Sequence, residues 1–440
     1  MKRIIYNTFI FFLPCIVLAT GCKKTDSEDR MIRNVCIIYS AGYNNLSKEL
    51  TANLEDMETK GYIPSRNGRD VLLVISQRTA KDKDYETPTA PCLYRIFKQS
   101  NRIVKDTLFA LSKGSSLLEP ESMRILLGKA RDLFPADHYG MVFSSHGSGW
   151  LPAGFYTNPD QFQDISEPRH ARRIVVPDIY LQDAVPDKLR TKAIGAEFYM
   201  NPTDPEEKKT LSKEMDIEDM AAAIPMHLDY LLFDACLMGG IEVAWTFREV
   251  ADYIGFSQAE ILSEGFNYTT LTEHLLRATP APEAVCKDFY DYHEKQSGVY
   301  HSSTISLVRT DALEALALAC RPLFETLRTT ISELKASDVQ GFGGDKRYFY
   351  DLMDILEKAC APAEGMARVR TALDNCAVFK ATTGQYYSMH SGTYGGTVSI
   401  NAFCGLTMYL PSPSAVSTGK AYLDAYYRDL GWNKAAGLMK

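Results

Sequence analysis

The sequence predicts an α/β fold in which helices cover both faces of a mostly parallel sheet. Short apolar runs that are typical of strands alternate with helical stretches along the chain. Two of these runs, MVFSSHGSGW and YLLFDACLMGG, pass from a buried strand into a glycine-containing turn. Each carries a reactive residue at that point, His146 in the first and Cys236 in the second. Because ligands collect at the carboxyl ends of parallel strands, the two residues are candidates for a base and a nucleophile.

The first part of the chain supplies the elements that lead to His146. The first core strand is predicted at 34–39, followed by the turn SAGYNNL and a helix to about Lys60. A second strand follows at 71–77, between a turn-rich and a charged segment. CLYRIFKQ and RIVKDTLFAL predict a short hairpin. Pro120 then begins an amphipathic helix through SMRILLGKARDLF, which delivers the chain to the His146 strand.

A change of character at about 151–215 predicts an insertion or a long loop between the two reactive strands. Pro, Gly, Asp and clustered Arg replace apolar periodicity there, and so long a loop in a compact domain is usually functional or mobile. MDIEDMAAAI then predicts a helix, and after Cys236 the segment GGIEVAWTFREV predicts another. ADYIGFSQAEIL predicts a short strand leading into a loop, and the remainder alternates helices with the strands STISLV and GLTMYL. The insertion contains the basic residues Arg169, Arg172, Arg173, Arg190 and Lys192.

The composition is that of a globular protein of 440 residues, long enough for two domains or one elaborated domain. Lys and Arg total 48 against 55 Asp and Glu, and the net charge of −7 argues against a nucleic-acid-binding surface. None of the ten cysteines forms a C-x-x-C pair, so neither a zinc site nor a dense disulfide framework is predicted. Most lie in apolar runs, where a free cysteine behaves as a small hydrophobe.

The N-terminus resembles a bacterial lipoprotein signal. Lys2 and Arg3 precede an apolar stretch at 4–18, and LATGC supplies small residues before Cys22. In this interpretation residues 1–21 are removed, Cys22 carries the lipid, and 22–33 form a polar tether outside the inner membrane. We therefore expect an exported lipoprotein of the cell envelope, at the outer membrane, facing the periplasm or the surface. An ordinary secretory signal or an N-terminal anchor helix is the alternative.

His146 and Cys236 have the chemistry of a catalytic pair. A thiol attacks well only as a thiolate, which an unperturbed cysteine rarely is at neutral pH, and an imidazole can deprotonate it and later protonate the leaving amine. Such a pair performs acyl transfer without a metal or a cofactor, and we predict neither. Glycines follow both residues, so the N–H groups of Gly147 and Cys236 are candidates for an oxyanion hole. The alternative is that Cys236 is a buried structural cysteine.

Asp234 is the third residue of this constellation. It lies two residues before Cys236, so alternation along a strand places both side chains on the same side. Binding a cationic substrate side chain would give this carboxylate a function beside the thiol. Orienting His146 or capping the following helix are the alternatives. Ser257 and Glu260, in GFSQAEIL, lie on the segment expected beside the Cys236 strand and are candidates for lining the substrate cleft.

The motifs SSHGSGW and FDACLMGGIEVA resemble the two signatures of the clostripain family of cysteine peptidases, relatives of caspases, legumains and gingipains. IIYSAGYNNL, VADYIGFSQAEILSEGFNY, FYDLMDILEKA and GLTMYLP also resemble family segments, so the similarity covers most of the chain after the N-terminal signal. The resemblance implies a caspase-like three-layer α/β/α sandwich spanning 34–440. It also implies a His146–Cys236 dyad that cleaves after Arg or Lys, with Asp234 in the pocket for the residue before the cleaved bond, P1.

The resemblance further implies self-processing after a basic residue between the dyad members, for which the candidates are Arg172, Arg173, Arg190 and Lys192. No D-x-D-x-D-G loop is present, so no calcium site is predicted. We therefore expect an exported, membrane-tethered cysteine endopeptidase that acts on proteins or peptides with basic P1 residues. A lipoprotein of the same fold that binds peptides or glycans without cleaving them is one alternative. A transpeptidase or asparaginyl-type ligase on the same scaffold is another.

Overall fold

A computed structural model describes residues 31–80, 87–163, 174–175, 191–192, 197–200, 210–346, 348–393 and 395–440. The strands are β1 (Ile32–Gly42), β2 (Asp70–Arg78), β3 (Cys92–Gln99), β4 (Arg102–Ala110), β5 (Ala136–Ser144), β6 (Ile174–Val175), β7 (Glu197–Met200), β8 (Thr210–Lys213), β9 (Leu228–Asp234), β10 (Ala251–Phe256), β11 (Thr304–Arg309), β12 (Gly341–Phe342), β13 (Phe349–Asp351), β14 (Ala377–Thr382), β15 (Gln385–Ser388), β16 (Gly396–Ser399) and β17 (Thr407–Met408). The helices are α1 (Ser47–Lys60), α2 (Pro120–Leu133), α3 (Ile217–Ala223), α4 (Ile241–Thr246), α5 (Tyr268–Leu275), α6 (Pro282–Glu294), α7 (Leu313–Glu333), α8 (Leu352–Lys358), α9 (Ala363–Cys376), α10 (Lys420–Asp429) and α11 (Gly431–Ala436).

A nine-stranded sheet in the order β14-β11-β10-β9-β5-β1-β2-β3-β4 forms the centre of the molecule. Its five central strands, from β10 to β2, are parallel to one another, and two antiparallel strands extend the sheet at each edge. Nine consecutive residues of β1 are buried, and the last five of β5 and of β9 are buried as well. Such unbroken burial is expected of strands covered on both faces, because a half-exposed strand alternates.

Helices form the two outer layers of this α/β/α sandwich. In one set α5 packs against both α1 and α6, and in the other α3 packs against both α2 and α4. Helix α2 illustrates why these segments become helices: Pro120 occupies the first turn, where its missing N–H costs nothing, and Met123, Leu126, Leu127 and Ala130 form its buried face. The predicted parallel sheet with helices on both faces is thus confirmed.

The register of the central strands brings their carboxyl ends together. Ser40 at the end of β1 is paired with Ser144 at the end of β5, and Ser144 is paired with Asp234 at the end of β9. The segments that follow these strands therefore leave the sheet side by side. Because His146 follows β5 and Cys236 follows β9, this register determines that the two loops meet.

The predicted elements are found close to their expected positions, with differences at boundaries. The first strand is longer than the 34–39 prediction, and the β3–β4 hairpin is confirmed as an antiparallel pair. In GLTMYL only the two residues of β17 form a strand, in a small sheet with β13. The start of the predicted 151–215 insertion is folded, because Phe155 and Phe162 are buried in contact with Tyr348 and Tyr422. Arg169, Arg172, Arg173 and Arg190 lie outside the described residues.

The cysteines of the described segments are free, and most of them are buried. Within those segments, we find no helix with the length and apolarity needed to span a bilayer. Residues 1–30, in which the lipoprotein signal and the lipidation of Cys22 are predicted, lie outside the described part of the chain.

A buried carboxyl group links the turn after β9 to the C-terminal helices. Glu242, at the start of α4, accepts hydrogen bonds at 2.9 Å from the Tyr409 amide and from the Tyr427 hydroxyl. Burial raises the pKa of Glu242 to about 7, while these hydrogen bonds act in the opposite direction. At neutral pH a carboxyl of this kind is partly protonated inside the core.

We expect Glu242→Gln to reduce the pH dependence of stability. The pKa of the folded wild-type carboxyl, about 7, exceeds its usual 4.5, so its stabilisation is complete below pH 4.5 and is lost as the pH rises to about 7. A shift of this size corresponds to roughly 3 kcal/mol. Urea unfolding at pH 5 and pH 8 measures how much the free energy of unfolding falls between the two pH values. In Glu242→Gln this fall should be absent. Glu333→Gln, at an exposed end of α7, is the matched control and should keep the wild-type loss. Equal losses in all three proteins would contradict the assignment.

Candidate active site

His146 lies in the loop after β5 and is bonded to the loop after β1. Its side chain is 5% exposed, and Nε2 lies 2.6 Å from Oδ1 of Asn45. An amide oxygen only accepts, so Nε2 carries the hydrogen in the neutral ring and Nδ1 is its basic nitrogen. Asn45 follows β1, the strand next to β5, which explains how it reaches the ring. Asn45 thereby fixes the orientation and the tautomer of His146.

Cys236 lies in the turn between β9 and α4 and is fully buried. The amide of Ile261 donates to Sγ at 3.0 Å, and the thiol faces the Ile261 carbonyl at 3.5 Å. The next residue, Leu237, has φ of +61°, a left-handed conformation that non-glycine residues rarely adopt and that often marks a functional turn. Gly147 packs so closely on this turn that a Cβ there would overlap the carbonyl oxygen of Cys236. The His146 and Cys236 loops are therefore in direct contact.

Lys192, from the insertion, enters the site between these loops and is completely buried. Its Nζ forms an ion pair with Oδ2 of Asp234 at 2.5 Å and lies 3.3 Å from the Ser144 hydroxyl. Among the four basic residues predicted as processing sites, it is the one that lies in the described part of the chain. Nothing in the sequence pattern of the insertion distinguishes Lys192 from the other basic residues there as a candidate processing site.

The main chain of Lys192 pairs with the segment that follows β10. The Lys192 amide donates to the Ile261 carbonyl at 2.9 Å, and Thr191 forms an antiparallel bridge with Leu262. On the other side of the residue, the Gly147 amide donates to the Lys192 carbonyl at 3.1 Å. Thr191 and Lys192 thus lie extended along the cleft, with the Lys192 carbonyl held at the His146 loop. Bound peptides often pair with the main chain of a protein in the same extended way.

The Lys192 side chain occupies a pocket whose base is the Asp234 carboxylate. That carboxylate also accepts hydrogen bonds from the Ser144 hydroxyl, the Phe266 amide and the Tyr268 hydroxyl, at 2.7, 3.1 and 2.9 Å. Gly265, with φ of +66°, forms one wall, and a methyl group there would overlap both the carboxylate and Nζ of Lys192. A buried carboxylate with fixed donors and room for one ammonium is a cation-binding pocket.

The catalytic candidates are held in their uncharged forms. Burial lowers the pKa of His146 to about 3, and the charge of Lys192 acts in the same direction. Burial also raises the pKa of the Cys236 thiol well above its usual value, as does the charge of Glu260. Backbone hydrogen bonds of Lys192 oppose both shifts. Both residues thus contact the main chain of Lys192, and with Lys192 present neither carries the charge of a thiolate–imidazolium pair.

The remaining predicted site residues have different surroundings. Glu260 is buried and accepts a hydrogen bond from the Thr191 hydroxyl at 2.6 Å. The Ser257 hydroxyl instead forms hydrogen bonds with the Ala259 carbonyl and the Thr304 hydroxyl, where β10 ends and β11 begins. The structure therefore brings together His146, Gly147, Asp234, Cys236 and Glu260 around Thr191 and Lys192, whereas the Ser257 hydroxyl bonds elsewhere.

Asn45, Gly265 and Tyr268 belong to the site, although no motif in the sequence marks them as site residues. Asn45 had a usable signal, since the asparagine pair of IIYSAGYNNL lies in the turn that follows the first predicted strand. Gly265 and Tyr268 reach the Asp234 pocket from the loop after β10 and from α5. Their approach depends on tertiary packing, for which the local sequence holds no pattern.

A histidine and a cysteine that follow adjacent parallel strands of a caspase-like sandwich define the class of caspase-like cysteine peptidases. The chain belongs to the clostripain family, whose sequence model matches residues 207–437. The match includes Cys236 and Asp234, and His146 lies before it. The family and the caspase-like fold expected from the motifs are thus confirmed.

The chain is similar in structure to C11 proteases of Parabacteroides and Bacteroides. It is 25% identical to an inactive zymogen C11 protease from Parabacteroides distasonis, with a TM-score of 0.70 over 92% of this chain and 97% of the other. It is 23% identical to a secreted C11 cysteine protease from Bacteroides thetaiotaomicron in complex with an irreversible peptide inhibitor, with a TM-score of 0.69 over 92% and 98%. A comparison with curated proteins gave no match.

We expect Gly265→Ala to expel Lys192 from the Asp234 pocket. The added methyl group would overlap Nζ and the carboxylate at a backbone conformation that disfavours alanine. Mass spectrometry after limited trypsin digestion, in a Cys236→Ala background that excludes self-cleavage, should detect a cut after Lys192 that the parent resists.

Gly298→Ala is the matched control, because Gly298 has φ of +60° with open space around the position of its Cβ. It introduces similar backbone strain away from the pocket. Equal protection of Lys192 in both variants would contradict the role of Gly265 as a pocket wall.

Proposed function

We propose that this protein is an exported cysteine endopeptidase that cleaves after Lys or Arg and that its own Lys192 occupies the site as a pseudo-substrate. The observation that supports this most strongly is the position of Lys192. Its ammonium pairs with Asp234, its carbonyl accepts from Gly147, and its main chain touches both His146 and Cys236. A P1 residue awaiting cleavage would make the same set of contacts.

In the proposed reaction, His146 takes the proton of the Cys236 thiol and Sγ attacks the carbonyl carbon of the P1 residue. The carbonyl oxygen becomes an oxyanion that accepts hydrogen bonds from the amides of Gly147 and Cys236. The tetrahedral intermediate collapses when the His146 imidazolium protonates the leaving amine, so the peptide bond breaks and a thioester remains. Water, deprotonated by His146, then hydrolyses the thioester and restores the thiol. Asn45 keeps the imidazole oriented throughout.

Asp234 provides the preference for a basic P1 residue in this proposal. The carboxylate is fully buried and already holds three protein donors, so its remaining acceptor capacity faces the pocket. A neutral or acidic P1 side chain would leave this buried charge without a cation, which is energetically costly. Lys and Arg are the side chains that supply a cation at the necessary reach.

We further propose that the chain is a zymogen and that it cleaves itself after Lys192. With Thr191 and Lys192 in the cleft, no other peptide can reach Cys236. The similar Parabacteroides protein is described as an inactive zymogen, which agrees with an occluded site. Arg172, Arg173 and Arg190 remain alternative processing sites outside the described residues.

Export and anchoring follow from the N-terminal sequence in this proposal. The charged start, the apolar stretch at 4–18 and the small residues before Cys22 support removal of 1–21, lipidation of Cys22 and attachment to the cell envelope. The similar Bacteroides proteases are described as secreted. The peptidase part, 34–440, would then be tethered to the membrane through 22–33.

We expect Cys236→Ala to abolish both self-processing and cleavage of Arg- and Lys-containing reporter peptides while leaving the protein folded, because the nucleophile is lost. Intact-mass spectrometry during incubation with and without a thiol alkylator reports self-cleavage and its position together, and fluorescent peptides report turnover. Cys320→Ala, which removes a buried free cysteine in α7, is the matched control and should retain both activities. Turnover by Cys236→Ala would exclude the mechanism. Absence of turnover in wild type under all conditions would favour the alternative of a non-cleaving surface lipoprotein.

We expect Asp234→Asn to lower kcat/KM for Lys and Arg peptides by about 100-fold or more, since the P1 cation loses its buried counter-charge. A panel of reporter peptides that differ only at P1 measures the effect. Asp252→Asn, at an exposed ion pair with His227, is the matched control and should keep the wild-type preference. An unchanged preference for basic P1 in Asp234→Asn would exclude the proposed role.

A further inference from the structure

Glu260 lies beside the residue that precedes Lys192. The Thr191 hydroxyl donates to Oε2 of Glu260 at 2.6 Å, and Thr191 is buried with 3% exposure. The antiparallel bridge to Leu262 keeps Thr191 extended, so its side chain and that of Lys192 enter two different pockets. On the proposed function, on which this inference rests, Lys192 is P1 and Thr191 is therefore P2.

The Glu260 carboxylate is fixed by a second part of the chain. The Ser388 hydroxyl donates to Oε1, and the Met389 amide donates to Oε2 at 3.0 Å. These two donors come from the end of β15 and the residue after it, far from Glu260 in sequence. The side chain is 1% exposed, so no rearrangement of water can replace a lost hydrogen bond cheaply. The carboxylate is thus positioned before any substrate binds, with one acceptor position directed at P2.

We propose that Glu260 determines the P2 preference of the enzyme and selects a hydroxyl side chain, threonine or serine. A buried carboxylate that accepts a short hydrogen bond strongly disfavours an isostere without the donor, because its acceptor then stays unsatisfied. Valine has the shape of threonine but no hydroxyl, and is rejected on this ground. Aspartate and glutamate are rejected by charge repulsion in a buried site.

The reach of the contact excludes long side chains at P2. The donor is the oxygen on Cβ of Thr191, so the carboxylate lies within the reach of one hydroxyl group from the substrate main chain. A lysine or arginine there would have to displace the Ser388–Met389 segment that holds the carboxylate. The site therefore divides the recognition of the two residues: Asp234 binds a distant ammonium or guanidinium, and Glu260 binds a nearby hydroxyl.

The test compares reporter peptides that share P1 Lys and differ only at P2, with Thr, Ser, Val or Asp. Wild-type protein incubated under reducing conditions should cleave the Thr and Ser peptides with kcat/KM roughly tenfold or more above the Val peptide, and the Asp peptide least of all. In Glu260→Gln the Thr-to-Val ratio should fall several-fold and the Asp peptide should gain relative to Val. Glu264→Gln, which removes an exposed carboxylate four residues away, should keep the wild-type ratios.

The outcomes separate this inference from the function on which it rests. Equal cleavage of the Thr and Val peptides by wild type, with cleavage after Lys intact, would overturn the P2 role and leave the proposed function standing. No cleavage of any peptide, with Cys236→Ala indistinguishable from wild type, would overturn both. The ratio of Thr to Val cleavage by the wild-type protein tests the P2 preference even if Glu260→Gln fails to fold. Self-processing at Lys192 gives an independent readout, since Thr191→Ser should process and Thr191→Val should be slower by a similar factor.

Discussion

The buried ion pair between Lys192 and Asp234 is the interaction on which the arrangement of this site depends. Removing two charges from water costs several kcal/mol per ion, which their attraction offsets only when the geometry is good and the other lone pairs are satisfied. Ser144, Phe266 and Tyr268 satisfy the Asp234 carboxylate, so the protein has prepared this pocket for one more cation. Without a cation the same carboxylate would be left buried and under-compensated. The pocket therefore drives both the closure by Lys192 and the proposed preference for basic substrates.

Burial in the closed site also affects the charge states of His146 and Cys236. Both residues contact the Lys192 main chain, and burial lowers the pKa of the imidazole and raises that of the thiol, although backbone hydrogen bonds of Lys192 oppose both shifts. Each shift favours the neutral form, and together they oppose formation of a thiolate–imidazolium pair. On the proposed mechanism, departure of the segment exposes both groups to water and removes the positive charge of Lys192 from beside His146. The charge of Lys192 and its backbone hydrogen bond lower the pKa of the Cys236 thiol, so burial keeps the thiol uncharged although Lys192 acts in the opposite direction.

The sequence predicted the features that depend on local pattern and on strand order. Continuous apolar runs identified the central strands, and the positions of His146 and Cys236 after them were sufficient to predict that their loops meet. Strand alternation placed Asp234 on the side of Cys236, and both residues do contact Lys192. The contacts of Lys192, Asn45, Gly265 and Glu260 could not be derived in this way. They join segments separated by tens of residues, such as Thr191 with Glu260 and Glu260 with Ser388, whose approach is set by packing.

Cleavage after Lys192 would not by itself empty the cleft. The new C-terminus would still carry the ammonium in the Asp234 pocket and the Thr191 hydroxyl on Glu260, and it would stay tethered to the fold through the residues before Thr191. A tethered segment competes with substrate at an effective concentration on the order of millimolar. The product strand nevertheless binds less completely than an intact substrate, because it ends at Lys192 and has no residues beyond the cleaved bond. A substrate that satisfies both Asp234 and Glu260 and continues beyond the cleaved bond makes contacts that the product cannot. On the proposed mechanism, the same two carboxylates therefore hold the zymogen closed and allow a complete substrate to displace the product strand.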